Sequence, residues 1–228
     1  MRAMILAAGR GERMRPLTDQ IPKPLLTVRG KALIVWLIEA LSRAGIHDLV
    51  INHAHLGAAL EAALGDGARW HVNIRYSPEG AALETAGGIA NALPLLGAEP
   101  FMVVNGDIFC DFDFAALAQR SLGADLAHLV LVANPPQHPR GDFLLHGDRV
   151  QNRHDSGDTS DSGDMRTFAG IGLYDPRLFD GIVRGSKAPL APLLRNAMAT
   201  DRVSGEFHAG AWHDVGTPER LRQLDLGA

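Results

Sequence analysis

Apolar residues in the first half of the chain form short runs that alternate with longer amphipathic stretches. The runs at 2–8, "HDLVIN", "HVNIRY" and "FMVVN" have the length and composition of buried strands. Between them, apolar side chains recur at helical spacing over 31–44, 56–64 and 85–96. Strands that alternate with helices are typical of βαβ units. The pattern therefore predicts an α/β fold, with a Rossmann-like, mostly parallel central sheet flanked by helices.

The second half of the chain has a different pattern, in which strands follow one another. "ADLAHLVLVAN", "GDFLLHGDRVQN" and "TFAGIGLYD" are predicted to be strands, and "VSGEFHAGAWHDV" a hairpin centred near Ala209 and Gly210. The polar, glycine-rich stretch 154–165 is predicted to be a loop. Helices are predicted over 188–200 and from Thr217, where Pro218 suits the first helical position. No linker divides the chain, so we expect one domain over 1–228 with a smaller β-rich part.

Composition and charge narrow the function classes. The 228 residues carry a formal net charge of −4, which argues against a general nucleic-acid binder. The single cysteine, Cys110, excludes an internal disulfide and suits a reducing compartment. No secretory signal is recognisable, and no run reaches the roughly 18 apolar residues that a membrane helix needs. We therefore expect a cytoplasmic protein with no membrane partner.

The loop after the first strand, "GRGERMRPLTDQIPKPLL", combines glycines, prolines and positive charge. One interpretation is a surface loop whose arginines face solvent. The other is a phosphate cradle, in which glycine amides and Arg10, Arg13, Arg15 and Lys23 contact a polyphosphate. The Walker A ending is absent, and Met14 stands where the dinucleotide-binding pattern requires its third glycine. Residue types and spacing alone leave both interpretations open.

A longer pattern connects this loop with stretches far along the chain. "LAAGRGERMRPLT" followed by "PKPL" resembles the signature of the sugar-1-phosphate nucleotidyltransferases. "LETAGGI" at 83–89 is similar to the nucleotide loop of that family, and "VVNGDI" at 103–108 to its metal-binding strand. "WHDVGTPERL" at 212–221 is similar to its closing motif, which carries a second aspartate. The resemblance thus covers both ends and the middle of the chain.

The resemblance implies attack by a sugar 1-phosphate on the α-phosphorus of a nucleoside triphosphate, with Mg²⁺ as cofactor and pyrophosphate as leaving group. It implies that Asp107 and Asp214 bind the metal and that Arg13, Lys23 and Asp107 act in catalysis. Because the attacking phosphate is already an anion, the reaction needs positioning and cations rather than a general base. A lone aspartate is more often a turn or surface residue, so only the surrounding motifs give a reason to assign these two carboxylates to a metal site.

The same resemblance assigns the substrate contacts. It places the nucleotide half at about 1–110 and the sugar-binding and closing half at about 111–228. The nucleotide contacts it implies are Ala8, Gly9, Gly11, Glu12, Arg13, Lys23, Gly80, Thr85 and Gly88. The sugar contacts it implies are Asn105, Gly141 and Arg153. Arg153 belongs to "NRHDSGD", which departs from the glutamate-lysine-proline that relatives often carry, and we expect it to take over the phosphate contact of that lysine.

Within the family, "NGDIFCDFDF" and "FAGIGLYDPRLF" resemble the uridylyltransferases of cell-wall sugar recycling. This implies UTP and N-acetylmuramic acid 1-phosphate as substrates. The alternatives are mannose or glucose 1-phosphate with GTP, dTTP or UTP, or a relative that senses nucleotides without catalysis. Retention of both aspartates, Lys23 and Arg13 argues against a sensor. The sequence leaves a monomer and a small homo-oligomer open.

Overall fold

The computed structural model describes residues 1–152 and 164–227. Within this part the strands are β1 (Arg2–Leu6), β2 (Thr27–Val28), β3 (Lys31–Ala32), β4 (Asp48–His53), β5 (Asn73–Pro78), β6 (Phe101–Asn105), β7 (Ile108–Cys110), β8 (Ala127–Val132), β9 (Phe143–His146), β10 (Arg149–Gln151), β11 (Asp164–Tyr174), β12 (Val203–Phe207) and β13 (Trp212–Asp214). The α-helices are α1 (Leu33–Arg43), α2 (Gly57–Leu64), α3 (Glu84–Leu96), α4 (Phe114–Ala118), α5 (Leu190–Met198) and α6 (Pro218–Leu226). None of these helices is both long enough and apolar enough to cross a bilayer.

The main sheet has nine strands in the order β5-β4-β1-β6-β11-β8-β12-β10-β9. Strands β5, β4, β1 and β6 are parallel to one another, as expected for strands joined by helices. Strand β11 is antiparallel to both β6 and β8, and β9 and β10 form an antiparallel hairpin. The α/β class is therefore confirmed, but a continuous parallel, Rossmann-like arrangement covers only β5, β4, β1 and β6; β8 and β12 form one further parallel pair. The sheet as a whole is mixed, because the second half lacks a crossover helix between most of its strands.

Helices cover both faces of the sheet, and the alternation of apolar side chains along each strand explains why. In β1, Ala3 and Ile5 pack on the face covered by α1, α2 and α4, while Met4 packs on the face covered by α3 and α5. In β6, Met102 packs on the face covered by α1, α2 and α4, and Phe101 packs on the opposite face. The nearly continuous apolar composition of these strands follows from burial on both sides.

A third apolar cluster attaches the end of the chain to its beginning. Met14, in the loop after β1, packs with Leu33 of α1, Val215 and Leu224 of α6, and all four are buried. Helix α6 begins as predicted, since the Thr217 side chain accepts a hydrogen bond from the amide of Arg220 at 3.3 Å. The cluster therefore holds the closing helix against the glycine- and arginine-rich loop.

The predicted hairpin over 203–215 does not form. Strand β12 lies in the main sheet beside β8, whereas β13 pairs with β7 in a separate two-stranded sheet. Apolar alternation predicted both strands correctly but carries no information on which strand each will join. The consequence is functional, because β7 directly follows Asp107 and β13 ends at Asp214.

A three-way ion pair fastens β10 to the neighbouring loops. The Arg149 guanidinium donates to both carboxylate oxygens of Asp125, at 3.0 and 3.1 Å, and to Asp201 at 3.0 Å. Burial raises the pKa of Asp125, but hydrogen bonds from Arg149 and Ser204 outweigh it, so the pKa lies below its usual value. A carboxyl group with a depressed pKa in the folded state stabilises the fold above its unfolded pKa, and this contribution is lost as pH falls through the folded pKa.

We expect Asp125→Asn to lower the free energy of unfolding at pH 7 by about 1.5–3 kcal/mol, the size of a hydrogen bond to a charged group. The difference from the natural protein should begin to shrink near pH 4, where Asp125 of the unfolded chain becomes protonated, and should be lost as pH falls through the lower pKa of the folded state. Urea unfolding at several pH values measures both effects. Asp48→Asn, at an exposed position, is the control. A stability loss that stays constant down to pH 3 would contradict this role of the ion pair.

Candidate functional site

The ends of three parallel strands form the floor of the site. Leu6, the last residue of β1, is paired with Asn52 of β4 on one side and with Asn105 of β6 on the other. The amide of Gly106 donates to the carbonyl of Leu6 at 2.9 Å, which keeps the two chain exits side by side. The loops after Ala8 and Asn105 therefore share one edge of the sheet, the edge where parallel sheets bind ligands.

A first cavity, of about 260 Å³, lies directly above these strand ends. Its lining is Leu6, Ala7, Ala8, Gly9, Lys23, Pro24, Asn52, Glu79, Ala82, Glu84, Thr85, Asn105, Gly106 and Asp107. Of the residues expected to bind the nucleotide, the structure brings Ala8, Gly9, Lys23 and Thr85 into this cavity. A backbone-lined opening with a cation at one end suits a phosphorylated ligand.

Asn52 joins the two loops that border the first cavity. Its side-chain oxygen accepts a hydrogen bond from the Ala7 amide at 2.8 Å, and its amide group donates to Glu79 at 2.6 Å. The other carboxylate oxygen of Glu79 accepts from the Leu83 amide at 2.9 Å. Because Asn52 is almost completely buried, these bonds fix the loop over 79–83 against the end of β1.

A second cavity, of about 520 Å³, adjoins the first. Its lining is Arg13, Asn105, Asp107, Ile108, Pro135, Gln137, His138, Asp142, Thr167, Phe168, Ala169, Trp212, Asp214 and Arg220. Asn105 and Asp107 line both cavities, so they form the boundary between them. Two ligands, one in each cavity, would be adjacent at this boundary.

Lys23 and Asp107 form an ion pair at the boundary. The Lys23 ammonium contacts the Asp107 carboxylate, and its side chain is only 10% exposed. Pro22 and Pro24 flank the lysine, which begins a short 3₁₀ turn. The neighbouring prolines restrict the backbone on both sides, so the ammonium is presented by a rigid segment.

Asp214 reaches the same place from the other end of the chain. In the β7–β13 pair it is opposite Ile108, the residue after Asp107, and the Val215 amide donates to the Asp107 carbonyl at 3.0 Å. Both carboxylates line the second cavity. Mg²⁺ prefers oxygen ligands and is commonly held by one or two carboxylates with phosphates and water. The donor set therefore fits Mg²⁺ that shares its coordination with a substrate.

Nothing in residues 1–152 and 164–227 forms a metal cage made of protein alone. No group of three or more histidine, cysteine or acidic side chains is placed to hold an ion there. Within this part of the chain, His53 contacts Glu61 at 2.6 Å. Burial raises the pKa of the Cys110 thiol to about 11, so it is protonated and acts as a packing group.

Two of the glycines expected to touch the nucleotide lie where a side chain would collide with its neighbours. Gly11 has a φ of +64°, and a Cβ there would lie 2.9 Å from a Thr18 methyl group. A Cβ at Gly88 would lie 2.5 Å from the Glu79 carboxylate. Gly11, Glu12, Gly80 and Gly88 do not line either cavity, within the part of the chain that the structure describes. Their expected nucleotide contacts stay predictions.

The expected sugar contacts are distributed unevenly. Asn105 lies at the boundary, whereas Gly141 is outside the lining of the second cavity. Gly141 has a φ of +62°, and a Cβ there would lie 2.7 Å from Asn134, so only glycine lets this loop pack on β11. Arg153 is outside the described residues.

Three residues that the sequence reasoning missed lie at the site. Asn52 ends a parallel strand at the same edge as Asn105, a signal that was present in "HDLVIN". Trp212 lines the second cavity and donates its indole N–H to the Ala169 carbonyl at 2.9 Å. Arg220 donates to the Asp214 carboxylate at 2.7 Å, a contact that depends on the orientation of α6 and that no local pattern predicts.

The chain is similar to known proteins in both sequence and fold. Residues 2–143 match the family model described as nucleotidyl transferase. The N-acetylmuramate alpha-1-phosphate uridylyltransferase of Neisseria meningitidis serogroup B is 57% identical over 227 residues, covering 98% of this chain and 96% of that protein. The mannose-1-phosphate guanylyltransferase of Mycobacterium tuberculosis is 32% identical over 222 residues, covering 95% of this chain but 61% of that protein. Among solved structures, the UDP-glucose pyrophosphorylase of Acinetobacter baumanii shares the fold, with a TM-score of 0.79, 16% identity, and coverage of 99% and 92%.

Proposed function

The chain belongs to the nucleotidyl transferase family, and we propose that it transfers the uridylyl group of UTP to N-acetylmuramate α-1-phosphate. The products are UDP-N-acetylmuramic acid and pyrophosphate. The similarity to the Neisseria meningitidis enzyme over nearly the full length of both chains supports these substrates. The single structural observation that carries the proposal is the boundary at Asn105 and Asp107, where two cavities meet.

In this proposal UTP occupies the first cavity and the sugar 1-phosphate the second. The β-rich part of the chain is the sugar-binding part, since Pro135, His138 and Phe168 line the larger cavity. The uracil and ribose lie toward Glu79 and Thr85, and the triphosphate lies toward Lys23. This arrangement brings the α-phosphate to the boundary.

The reaction is an in-line displacement. A phosphate oxygen of the sugar 1-phosphate forms a bond to the α-phosphorus of UTP, while the bond from that phosphorus to the β-bridging oxygen breaks. The electron pair of the broken bond stays on pyrophosphate. Because the nucleophile is anionic, the barrier is dominated by repulsion between the two substrates and by charge on the leaving group.

Positive side chains reduce that repulsion. Lys23 is assigned to the phosphate at the reacting centre, because its ammonium lies at the boundary of the two cavities. Arg13, which lines the second cavity, is assigned to the β- and γ-phosphates, so in this proposal the triphosphate extends from the first cavity across the boundary. Both cations are donors only, and a planar guanidinium suits two oxygens of one phosphate.

Asp107 and Asp214 are the residues that would hold Mg²⁺. When bound, the ion neutralises charge on the triphosphate and on the leaving pyrophosphate. Lys23 contacts Asp107, so a cation held by Asp107 would leave the Lys23 ammonium available to a phosphate oxygen.

Pyrophosphate release from a panel of triphosphates and sugar 1-phosphates, with and without Mg²⁺, tests the proposed function. We expect release to require Mg²⁺ and to be at least 10-fold faster with UTP and N-acetylmuramate α-1-phosphate than with GTP and mannose 1-phosphate or with dTTP and glucose 1-phosphate, a factor of ten being 1.36 kcal/mol in the barrier. A preference for another pair would keep the family and reject these substrates. Binding of a nucleotide without release from any pair would favour a nucleotide sensor.

A further inference from the structure

Arg220 holds the Asp214 carboxylate through two contacts. One of its guanidinium nitrogens lies 2.7 Å from Asp214 Oδ2 and 3.1 Å from the Asp214 carbonyl oxygen. The arginine and aspartate side chains are 24% and 28% exposed, so the pair is partly shielded from water. Helix α6 fixes the arginine, because Thr217 caps the helix and Leu224 is buried in the cluster that attaches it to the first loop.

A second guanidinium is close to the same carboxylate. Around the position of a Cβ on Gly216, Arg220 lies at 3.1 Å, and Arg13 and Asp214 Oδ2 both lie at 3.3 Å. The absence of a side chain at Gly216 leaves room for all three groups. Arg220 therefore pairs with Asp214 and Arg13 lies nearby, beyond ion-pair distance, at the wall of the second cavity, while Lys23 pairs with the other carboxylate, Asp107.

This arrangement has a consequence for any cation that Asp214 binds. Asp214 Oδ2 is already a hydrogen-bond acceptor for Arg220, and a divalent ion at the carboxylate would repel the guanidinium at contact distance. The two cations therefore compete for one carboxylate. Arg220 lines the second cavity and not the first, so a phosphate that it reaches on release lies in the second cavity. Since Arg13 on the same wall is assigned to the β- and γ-phosphates of UTP, we assign Arg220 to the phosphate of the sugar 1-phosphate.

We propose that Arg220 is a positioning residue that holds Asp214 in the substrate-free site and moves to the phosphate of the sugar 1-phosphate when a divalent cation binds. The proposal rests on the proposed function for the identity of that substrate. Its first half concerns only the protein and the cation. A guanidinium suits this exchange because it binds carboxylate and phosphate oxygens with the same planar set of donors.

The first test measures cation binding without any substrate. Mn²⁺ alone is titrated into the full chain, and free Mn²⁺ is followed by electron paramagnetic resonance. We expect Arg220→Met to bind Mn²⁺ more tightly than the natural protein, on the order of fivefold, because a partly exposed ion pair no longer competes. Arg222→Met, at an exposed position of the same helix, is the matched control and should not change the affinity.

The second test measures turnover. Arg220→Met should raise the KM for the sugar 1-phosphate by about 10-fold or more, the loss of one charged hydrogen-bonding partner, with a smaller change in the KM for UTP. Arg220→Lys should restore the competition with Mn²⁺. Its KM for the sugar 1-phosphate should lie between those of Arg220→Met and the natural protein, since an ammonium lacks the planar donor pair. Thermal unfolding of each variant checks that it is folded.

The proposal predicts that Arg220→Met tightens Mn²⁺ binding while it impairs turnover, and this combination distinguishes it from a purely structural role. If Arg220 only supported the fold of the site, its loss would weaken Mn²⁺ binding along with turnover. Unchanged or weaker Mn²⁺ binding in Arg220→Met would overturn the proposal. A natural protein that binds Mn²⁺ but does not turn over N-acetylmuramate α-1-phosphate would instead reject the proposed substrate and leave the competition at Asp214 in place.

Discussion

Asp107→Asn is expected to reduce kcat/KM by about 10³-fold or more while leaving the protein folded. Asp107 lies at the boundary of both cavities and carries the carboxylate nearest to the reacting phosphates in the proposed arrangement. Asparagine has nearly the same shape but no charge, so it removes a ligand for Mg²⁺ without leaving a void. Pyrophosphate release at saturating Mg²⁺ measures the loss.

The variant also changes the surroundings of Lys23, which would lose its partner. Since the Asp107 side chain is 32% exposed, water can compensate for much of this change, and we expect only a small shift in thermal unfolding. Asp180→Asn, at an exposed position, is the control for loss of one negative charge. Turnover by Asp107→Asn within threefold of the natural rate would remove Asp107 from the proposed metal site.

The sequence was most informative where local pattern and topology carry the same information. Helices between apolar runs predict parallel neighbours, and parallel strands end at one edge of a sheet. That reasoning places the exits of β1 and β6 together, and the pairing of Leu6 with Asn105 confirms it. The spacing of apolar residues and the lengths of the strands therefore predict which edge of the sheet carries the site.

Strand partners in the second half could not be predicted in the same way. Alternating apolar residues show that 203–207 and 212–214 are extended, but either strand could pair with any free edge. The choice is made by packing, as β12 fills the place between β8 and β10 while β13 meets β7. The approach of Asp214 to Asp107 depends on that choice, and only the motif resemblance gave a reason to expect it.

Side-chain pairing within the site was also beyond the sequence. The loop after β1 could be a phosphate cradle or a set of solvated arginines, and the structure divides its charges between neighbouring carboxylates and cavities. Lys23 contacts Asp107, Arg15 contacts Asp19 at 3.2 Å, and Arg13 lines the second cavity with Asp214. The Arg15 contact is local, whereas the surroundings of Lys23 and Arg13 depend on β7, β13 and α6, which are distant in sequence.

Lys23→Met is expected to lower kcat/KM by about 10²–10³-fold, because one preorganised cation at the developing negative charge contributes several kcal/mol to the barrier. Methionine retains most of the side-chain length and fills the same space between Pro22 and Pro24. Steady-state kinetics with UTP and N-acetylmuramate α-1-phosphate measure the loss. Lys187→Met, at an exposed position, is the control for removal of one positive charge.

The paired variant Lys23→Met with Asp107→Asn distinguishes a catalytic lysine from a structural one. Lys23→Met alone leaves the Asp107 carboxylate without its partner, so part of any stability loss comes from that uncompensated charge. Adding Asp107→Asn removes the charge and should recover the lost stability, whereas turnover should fall below that of Asp107→Asn alone, because the phosphate also loses its cation. Turnover equal to that of Asp107→Asn alone would mean that Lys23 serves only to neutralise Asp107, and its assignment to a phosphate would then be wrong.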